Sequence, residues 1–587
     1  MQPTQPSTVV DPGPLQVWPR SKERPADAGW TLVGGIDDPA PARVDRGGLL
    51  SPEDAAWTMD WWIGADDRWY LPSREASVRQ RRDGPGPIVE TSMRVPSGDV
   101  VATAYPVVVG ARRATVFEVR NDSPVPVVLA IAVRPVALDG SAGDERRIGF
   151  TTDGDTTAMT VDGHPAVLLP RSPNERVADS EADVFTRVEA GDALVWGGPV
   201  TGRWANAACL YPLPHTTSLR VVIPSDDQDG PVAFDGLPPA ETVASGWASI
   251  VDRAATFGFP DPGLTELVGA ARARLVLGAV DLPDRLEVID RAAAATLEAL
   301  AIGGHADECL PALERLAEMF PRKLPSGTNA EAGPKAGAAL LRAAAAAAEL
   351  YPPTVAESLL ASMAQVTSLV ERKGDPVTGA RAKLALARLV DRAGQPDAAR
   401  HLRDAAAPVM GRVAAAPTID LTEPDSSAGL EGDPRADAAL DAITALAQEA
   451  SPAGSWSPDD DVRAAARFVT LSRDLVVASG DTEPTADGDQ RRTIDLLLGM
   501  PSAWLGGQIE VHRAPVAGVR VSYAIRWHGY RPALLWEVHD DHDVGIPVLR
   551  CPGLDHEWST DQASGETLLS GSPVELPDVP APGDSFQ

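Results

Sequence analysis

The spacing of hydrophobic residues changes twice along the chain. From Trp30 to about Pro224, short segments alternate apolar and polar positions, as in TVFEVRNDSPVPVVLAIAVRPV at residues 115–136. Alternation at every second residue is typical of strands that bury one face. The segment NDSP, residues 121–124, separates two such runs and has the residue types of a turn. Repetition of this pattern predicts an antiparallel β-sandwich.

The middle of the chain has the longer period of helices. Alanine-rich segments follow one another with short links, beginning with GLTELVGAARARLVLGAV at 263–280 and ending with DDDVRAAARFVTLSRDLVVASG at 459–480. Alanine favours helix intrinsically and allows helix axes to approach closely. The pattern predicts about nine helices arranged as antiparallel hairpins. We interpret the longest break, residues 416–436, as a surface loop or a lid.

Alternation returns after Gly480. The stretch YAIRWHGYRPALLWEV, residues 523–538, predicts a β-hairpin that turns at residues 529–532. The two ends of the chain are rich in proline and polar residues, and we expect them to be disordered.

The net charge limits the classes of partner. The chain has 83 acidic and 52 basic residues, which gives a formal net charge of −31. Such a field repels nucleic acid and anionic membranes, whereas a neutral ligand such as a sugar is indifferent to it. No apolar run approaches the roughly 20 residues of a membrane span. We therefore expect neither nucleic acid nor membrane as a partner.

Cysteine and histidine usage predicts a cytoplasmic protein without a metal or cofactor. Cys209, Cys309 and Cys551 are far apart and form no CxxC pair, which argues against a thiolate zinc site and a disulfide framework. The N-terminus has no signal-peptide pattern. The run HDDHD, residues 539–543, is interpreted as a polar turn because five contiguous side chains cannot all face one ion.

The C-terminal segment LLLGMPSAWLGGQIEVHRAPVAGVRVSYAIRWHGYRPALLWEV, residues 496–538, resembles the end of glucoamylase-like proteins of the six-hairpin glycosidase superfamily. The matching positions are Pro501, Trp504, Leu505, Ile509, Val511, Ala514, Pro515, Gly518, Val521, Tyr523, Arg526, Trp527, His528, Gly529, Arg531, Pro532, Leu534, Trp536 and Glu537. The resemblance implies that the helices form an (α/α)6 toroid. It also implies a relation to enzymes that cleave glycosidic bonds with two carboxyl groups on loops at one end of that toroid.

Together, pattern and resemblance predict a multidomain α+β fold. It comprises an N-terminal antiparallel β-sandwich, a central (α/α) helical-hairpin toroid, either complete or incomplete, and a small C-terminal β-domain. The predicted boundaries are 1–28 for a disordered N-terminal segment, 29–255 for the sandwich, 256–480 for the toroid, 481–565 for the β-cap and 566–587 for a disordered acidic tail.

The resemblance directs attention to carboxylates between helices. Glu331 precedes a predicted helix, as does a glutamate of the glucoamylase-like pattern, but here Gly333 and Pro334 follow it. Asp459 and Asp461 lie near the position of the catalytic base in that pattern. The resemblance makes Glu331 the candidate acid and either aspartate the candidate base. The alternatives are a first-turn acid that stabilises a helix dipole and a helix cap.

Residues 47–81 hold the densest group of aromatic side chains. Trp61, Trp62 and Trp69 are interleaved with Asp67 and Arg68. Aromatic faces stack on the apolar faces of sugars, and carboxylates and guanidinium groups form paired hydrogen bonds. These five residues are our candidates for substrate binding. The alternative is that the rings fill the sandwich core.

Two main functions remain open. Between residues 270 and 480 there is one tryptophan, Trp456, and one tyrosine, Tyr351, whereas a saccharide cleft usually presents several such rings. This favours a non-catalytic relative that binds glycans or serves as an interaction scaffold. An active glycoside hydrolase is the alternative, so whether the chain is an enzyme stays open. A structural protein that binds no sugar is a third possibility.

Overall fold

The structure is a computed structural model. It describes residues 30–36, 38, 41–52, 55–109, 112–136, 144–153, 156–191, 198–225, 234–279, 291–319, 332–413, 434–450, 453–456, 461–480, 483–484, 490–529, 531–541 and 544–570. The chain divides into two compact units: the N-terminal unit comprises residues 1–246 and 451–458, and the helical unit comprises residues 247–450 and 459–587.

The N-terminal unit contains two antiparallel sheets. One has eight strands in the order β1-β2-β3-β4-β10-β16-β14, with β5 paired to β4, and the other has nine in the order β15-β11-β12-β13-β17-β9-β8-β7-β6. The strands are β1 Thr31–Val33, β2 Ala42–Val44, β3 Leu50–Pro52, β4 Thr58–Gly64, β5 Trp69–Tyr70, β6 Arg79–Arg82, β7 Val89–Val95, β8 Gly98–Val109, β9 Arg112–Asn121, β10 Val127–Arg134, β11 Arg146–Asp153, β12 Thr156–Val161, β13 His164–Leu169, β14 Glu175–Asp179, β15 Val200–Gly202, β16 Asn206–Leu213 and β17 Ser218–Pro224.

The inward faces of these strands form one hydrophobic core. Strand β7 alternates buried and less buried residues along most of its length, as expected of a strand with one buried face. Strand β4 departs from this pattern because six of its seven residues are buried. Its outward face is buried in a second cluster, formed with the short helix α1 (Val184–Glu189). A helix over one sheet face therefore explains why residues on both faces of β4 are buried.

The helical unit is built from alanine-rich helices. A helix labelled α2, Ala240–Asp252, begins in the N-terminal range, and its C-terminal half lies in the helical unit. The remaining described helices are α3 Pro262–Ala279, α4 Arg291–Ile302, α5 Ala306–Met319, α6 Ala332–Leu350, α7 Pro353–Lys373, α8 Pro376–Arg392, α9 Pro396–Val413, α10 Pro434–Glu449 and α11 Asp461–Val476.

Short links pair consecutive helices. Two residues separate α6 from α7, Tyr351 and Pro352, and two separate α7 from α8, Gly374 and Asp375, so each helix packs against the next. Helix α6 contacts α4, α5, α7 and α8, and its alanines are buried along nearly the whole helix. The last helix, α11, returns to contact α3 and α4. Small side chains therefore allow an inner layer of helices to pack closely.

Strands complete the helical unit. They form sheets in the orders β18-β23-β24-β25-β28, β19-β22-β26-β27 and β20-β21, with β22 and β26 parallel. Their bounds are β18 Thr256–Gly258, β19 Val477–Ser479, β20 Glu483–Pro484, β21 Gln490–Arg491, β22 Thr493–Leu496, β23 Ile509–Val516, β24 Val519–His528, β25 Arg531–His539, β26 Val548–Cys551, β27 Asp555–Thr560 and β28 Ser564–Leu568.

The hairpin predicted near the C-terminus is confirmed. Strands β24 and β25 pair in antiparallel register, and His528 lies opposite Arg531. Gly529 in the turn has φ of 62°, a conformation that glycine adopts without steric cost. Trp536 is buried and contacts Trp558 edge to face with the ring centroids 5.2 Å apart. Trp536 therefore serves packing in the C-terminal β region, whereas Trp527 is half-buried and donates a hydrogen bond to the Gly507 carbonyl oxygen.

The predicted fold class is confirmed: an N-terminal antiparallel β region, central helices and a C-terminal β region. The predicted domain boundaries stay predictions. Strand β28 crosses the boundary placed between residues 565 and 566, and residues 1–28 lie outside the described part of the chain.

Candidate functional site

A cleft of about 470 Å³ opens on the outer face of the eight-stranded sheet in the N-terminal unit. Its floor is apolar and comes from β10, β14 and β16, one wall comes from β5, and another comes from the end of α1. The lining residues are Trp69, Val128, Asn174, Glu175, Val177, Val188, Glu189, Gly191, Leu210, Tyr211 and Pro212. An apolar floor with a few polar groups at its rim is the usual composition of a small-molecule site.

The aromatic wall is the indole of Trp69. Strand β5 pairs with the end of β4, which places Trp69 opposite Gly64. A Cβ atom at Gly64 would lie 3.0 Å from the Trp69 ring, so glycine allows the ring to lie close to the strand. The ring packs at the margin of the outer apolar cluster and is half-buried. Trp69 therefore keeps part of its ring surface accessible in the cleft.

The polar rim is acidic. Glu175 begins β14 and lies opposite Leu210 of β16, and Asn174 precedes it. Glu189 is the last residue of α1 on another side of the cleft. Both glutamates are exposed, and the lining residues include no lysine or arginine. The rim thus offers carboxylate and amide groups beside an aromatic ring, a set that can hydrogen-bond hydroxyl groups and stack on a sugar.

A buried charge network fixes α1 on the sheet. Arg134 of β10 lies 3.8 Å from the Asp60 carboxylate and 3.1 Å from the Asp183 carboxylate. Asp183 also caps α1 by accepting a hydrogen bond from the backbone N–H of Phe185. Burial raises the pKa of Asp60, although Arg134 and the indole N–H of Trp62 oppose this shift. The network connects β4, β10 and α1. Residues of β10 and α1 line the cleft, and β4 pairs with β5, which contains Trp69.

The predicted substrate-binding residues fall in three environments. Trp61 and Trp62 are both fully buried, one in each core cluster of the N-terminal unit, as in the alternative that the sequence left open. Asp67 accepts a hydrogen bond from the Tyr70 hydroxyl at 2.7 Å. Arg68 forms a bidentate ion pair with a neighbouring glutamate. Trp69 alone among the five predicted residues lines the cleft, and ligand binding by any of them stays a prediction.

Of the three predicted catalytic residues, only Asp461 lies in the described part of the chain, so the structure gives no distance between them. Glu331 and Asp459 lie outside the described residues. Asp461 is the first residue of α11. Their catalytic role stays a prediction. No group of three or more histidine, cysteine or acidic side chains suited to a metal ion occurs within the described ranges.

Two carboxylates of the helical unit were missed by the sequence analysis. Burial raises the pKa of Glu298 on α4, Arg342 opposes this shift, and the charge of Asp474 on α11 adds to it. Burial also raises the pKa of Asp474. Yet 22% of the Glu298 side chain and 41% of the Asp474 side chain are accessible. Each carboxylate has an arginine partner: Arg342 lies 3.3 Å from Glu298, and Arg473 lies 2.9 Å from Asp474.

The rim residues of the cleft were also missed. Asn174, Glu175 and Glu189 lie in ordinary polar segments, and only the pairing of β14 with β16 and the position of α1 bring them beside Trp69. No motif in the sequence marks them. The available signal was the aromatic cluster of residues 47–81, which contains Trp69.

No family model and no curated protein matches the chain. Among solved structures it is similar to a bacterial glucoamylase complexed with acarbose, with 9% identity, a TM-score of 0.44, and coverage of 65% of this chain and 66% of the glucoamylase. It is also similar to a family GH92 inverting mannosidase from Bacteroides thetaiotaomicron, with 10% identity, a TM-score of 0.39, and coverage of 80% and 87%.

A third similar structure is a family GH78 rhamnosidase from Bacillus sp. GL1, with 10% identity, a TM-score of 0.34, and coverage of 78% of this chain and 55% of the rhamnosidase. The chain thus spans just under two thirds of the glucoamylase and about half of the rhamnosidase. All three are glycosidases, the class that the sequence resemblance indicated. At these identities the similarity concerns the fold alone. No described helix is long and apolar enough to cross a membrane.

Proposed function

We propose that the chain is a non-catalytic carbohydrate-binding scaffold whose cleft in the N-terminal unit holds a glycan. The observation that carries this proposal is the accessible Trp69 ring beside Asn174, Glu175 and Glu189 over an apolar floor. Stacking of a sugar on an indole excludes water from its apolar face, while side-chain oxygen and nitrogen atoms bind its hydroxyl groups.

The aromatic residues of the middle of the chain support the non-catalytic part of the proposal. Tyr351 and Trp456 are the sole tyrosine and tryptophan between residues 270 and 480, and both are buried. Phe468 is buried as well. These three rings therefore offer no platform for stacking a sugar.

The net charge supports a carbohydrate as the ligand, and the cysteines support a cytoplasmic location. A net charge of −31 disfavours nucleic acid as a partner and leaves a carbohydrate unaffected. Cys209, Cys309 and Cys551 are free and buried, which agrees with a reducing compartment such as the cytoplasm.

Glycan binding is tested by screening the full chain on a glycan array and then by calorimetry with the best oligosaccharide. We expect Trp69→Ala to lose about five- to tenfold in affinity, because stacking on an aromatic ring contributes on the order of 1 kcal/mol and tenfold corresponds to about 1.4 kcal/mol. Trp204→Ala is the matched control, since Trp204 is also half-buried in the same unit but does not line the cleft. Equal affinity for Trp69→Ala and wild type would refute the assignment of the cleft.

A glycoside hydrolase is the second candidate function, and its candidate carboxyl groups are Glu298 and Asp474, whose pKa values burial raises. A carboxyl that remains protonated and a second that is ionised can act as general acid and general base. The test is a hydrolysis screen with aryl glycosides and oligosaccharides on wild type, Glu298→Gln and Asp474→Asn. Glu318→Gln is the control because Glu318 is exposed on α5. Turnover that only the first two variants lose would establish this function in place of the scaffold.

A further inference from the structure

We propose that the ligand of the cleft is an amino sugar bound through its protonated amine. This inference rests on the proposed glycan-binding function and specifies the chemical class of the glycan. Its basis is the charge of the rim, to which two separate elements each contribute a carboxylate, together with the aromatic ring of Trp69 in the same cleft. A neutral sugar would use the ring and the hydrogen-bonding groups but would gain nothing from the charge.

The two carboxylates come from separate elements. Glu175 lies at the start of β14, an edge strand of the sheet, and Glu189 lies at the end of α1. Neither forms an ion pair with any residue in the described part of the chain, although arginines pair with several of the acidic residues elsewhere in this unit. Both negative charges are therefore available to a cationic ligand.

The backbone adds partial negative charge at the same place. Helix α1 ends at Glu189, and Gly191 follows with φ of 70°, which closes the helix. The last carbonyl groups of a helix carry partial negative charge and favour cations. Val188, Glu189 and Gly191 all line the cleft, so the C-terminal end of α1 borders it. This contribution is small because α1 has a single turn and a half, and it has the same sign as the carboxylates.

Among the described residues, no arginine or lysine lies over the Trp69 ring. The neighbouring Arg68 points its guanidinium at Glu75, with the closest N–O distance 2.6 Å, and over the ring of Tyr70 at 3.8 Å from the centroid. It thus stacks on Tyr70, and toward Trp69 it donates a hydrogen bond to the backbone carbonyl oxygen at 3.2 Å rather than lying over the indole. An ammonium group over an indole face gains cation–π energy, and tryptophan is the best of the aromatic side chains for this contact. The amine of an amino sugar can occupy this position while the sugar ring packs on the apolar floor.

The test compares two ligands that differ in charge. A glucosamine tetramer and an N-acetylglucosamine tetramer have the same backbone, and acetylation removes the positive charge. At a pH at which the amines are protonated, we expect the glucosamine tetramer to bind about tenfold more tightly, the size of one exposed cation–π contact plus two exposed ion pairs. This preference should shrink as salt is raised, because exposed ion pairs are screened.

Variants separate this inference from the proposed function. Glu175→Gln combined with Glu189→Gln should lower the affinity for the glucosamine tetramer to that for the acetylated tetramer and so abolish the preference. Trp69→Ala should weaken both ligands. Glu145→Gln is the control, since Glu145 is an exposed glutamate of the same unit that does not line the cleft, and it should retain the preference.

Each contrary outcome has a distinct meaning. Equal affinity for both tetramers, or a preference that the double variant retains, would refute the amino-sugar inference and leave glycan binding intact. Binding of neither tetramer, with other glycans bound at Trp69, would also refute the inference alone. Tighter binding of tetralysine than of the glucosamine tetramer would show that the cleft recognises an ammonium group without a sugar, which would refute the inference and the proposed function together.

Discussion

The pKa of His305 predicts that acid destabilises the helical unit. His305 precedes α5 and is fully buried. Its Nε2 accepts a hydrogen bond from Arg272 at 3.2 Å, because a guanidinium group has donors and no acceptor. Nδ1 then carries the proton and lies 3.8 Å from a Glu308 carboxylate oxygen. Protonation would give the ring its second N–H, at Nε2, and this N–H would point at the positively charged guanidinium of Arg272.

The direction and size of the stability change with pH follow from the difference in the pKa of His305 between the folded and unfolded states. Burial, Arg272 and Arg253 hold the pKa of His305 well below its usual value of 6.5. The neutral form is thus favoured in the folded state, so the stability is fully present above pH 6.5 and is lost as the pH falls below it. If His305 stays neutral to about pH 5, lowering the pH from about 7 to about 5 costs about 2 kcal/mol of unfolding free energy through this residue.

Hydrogen exchange followed by mass spectrometry measures this loss locally. Peptides from α3 and α5 should lose protection between pH 7 and pH 5, after correction for the intrinsic rate, more in wild type than in His305→Gln. The glutamine amide oxygen can still accept from Arg272 but does not titrate. His164→Gln is the control because His164 is exposed in the N-terminal unit. An equal loss of protection in wild type and His305→Gln would refute the reasoning.

Two further predictions concern packing and buried charge. Gly565→Ala should destabilise the helical unit by about 1–3 kcal/mol, because the added Cβ would lie 2.5 Å from the Trp536 ring. Thermal unfolding measures this loss. The control is Gly246→Ala, which should be neutral or slightly stabilising because its Cβ would have no atom within 4 Å. Arg134→Met should destabilise the N-terminal unit by about 3–5 kcal/mol in urea unfolding, because it leaves Asp60 buried without its cation. A loss under 1 kcal/mol would show that water replaces that cation.

The sequence predicted the elements whose pattern is local. Strand pairs such as β24 and β25 are adjacent in the chain, so alternation and a turn glycine were sufficient to predict them. Helices of the middle of the chain were predicted for the same reason, because their alanine-rich period continues over three or more turns. Helix α1 was not predicted, since the six residues VFTRVE are too few for a helical period to be evident.

The candidate site was predicted only in part because its residues meet through long-range pairing. Trp69 belonged to an aromatic cluster, but adjacent tryptophans in β4 point to opposite faces, and α1 buries the outer one. From the sequence alone, Trp62 and Trp69 were equally good candidates for substrate binding. Glu175 and Glu189 entered the site through strand order and helix position, which periodicity does not specify.

Stability and ligand binding are coupled in the N-terminal unit through α1. Asp183 caps α1 and pairs with Arg134 at 3.1 Å, and Arg134 also lies beside Asp60 of β4. The same helix supplies Glu189 to the rim, and the strand after β4 supplies Trp69. The network therefore fixes the distance between the acidic and aromatic walls, and a preformed spacing avoids the entropy cost of ordering them on binding. Arg134→Met should for this reason weaken ligand binding even under conditions in which the unit remains folded, although Arg134 does not line the cleft.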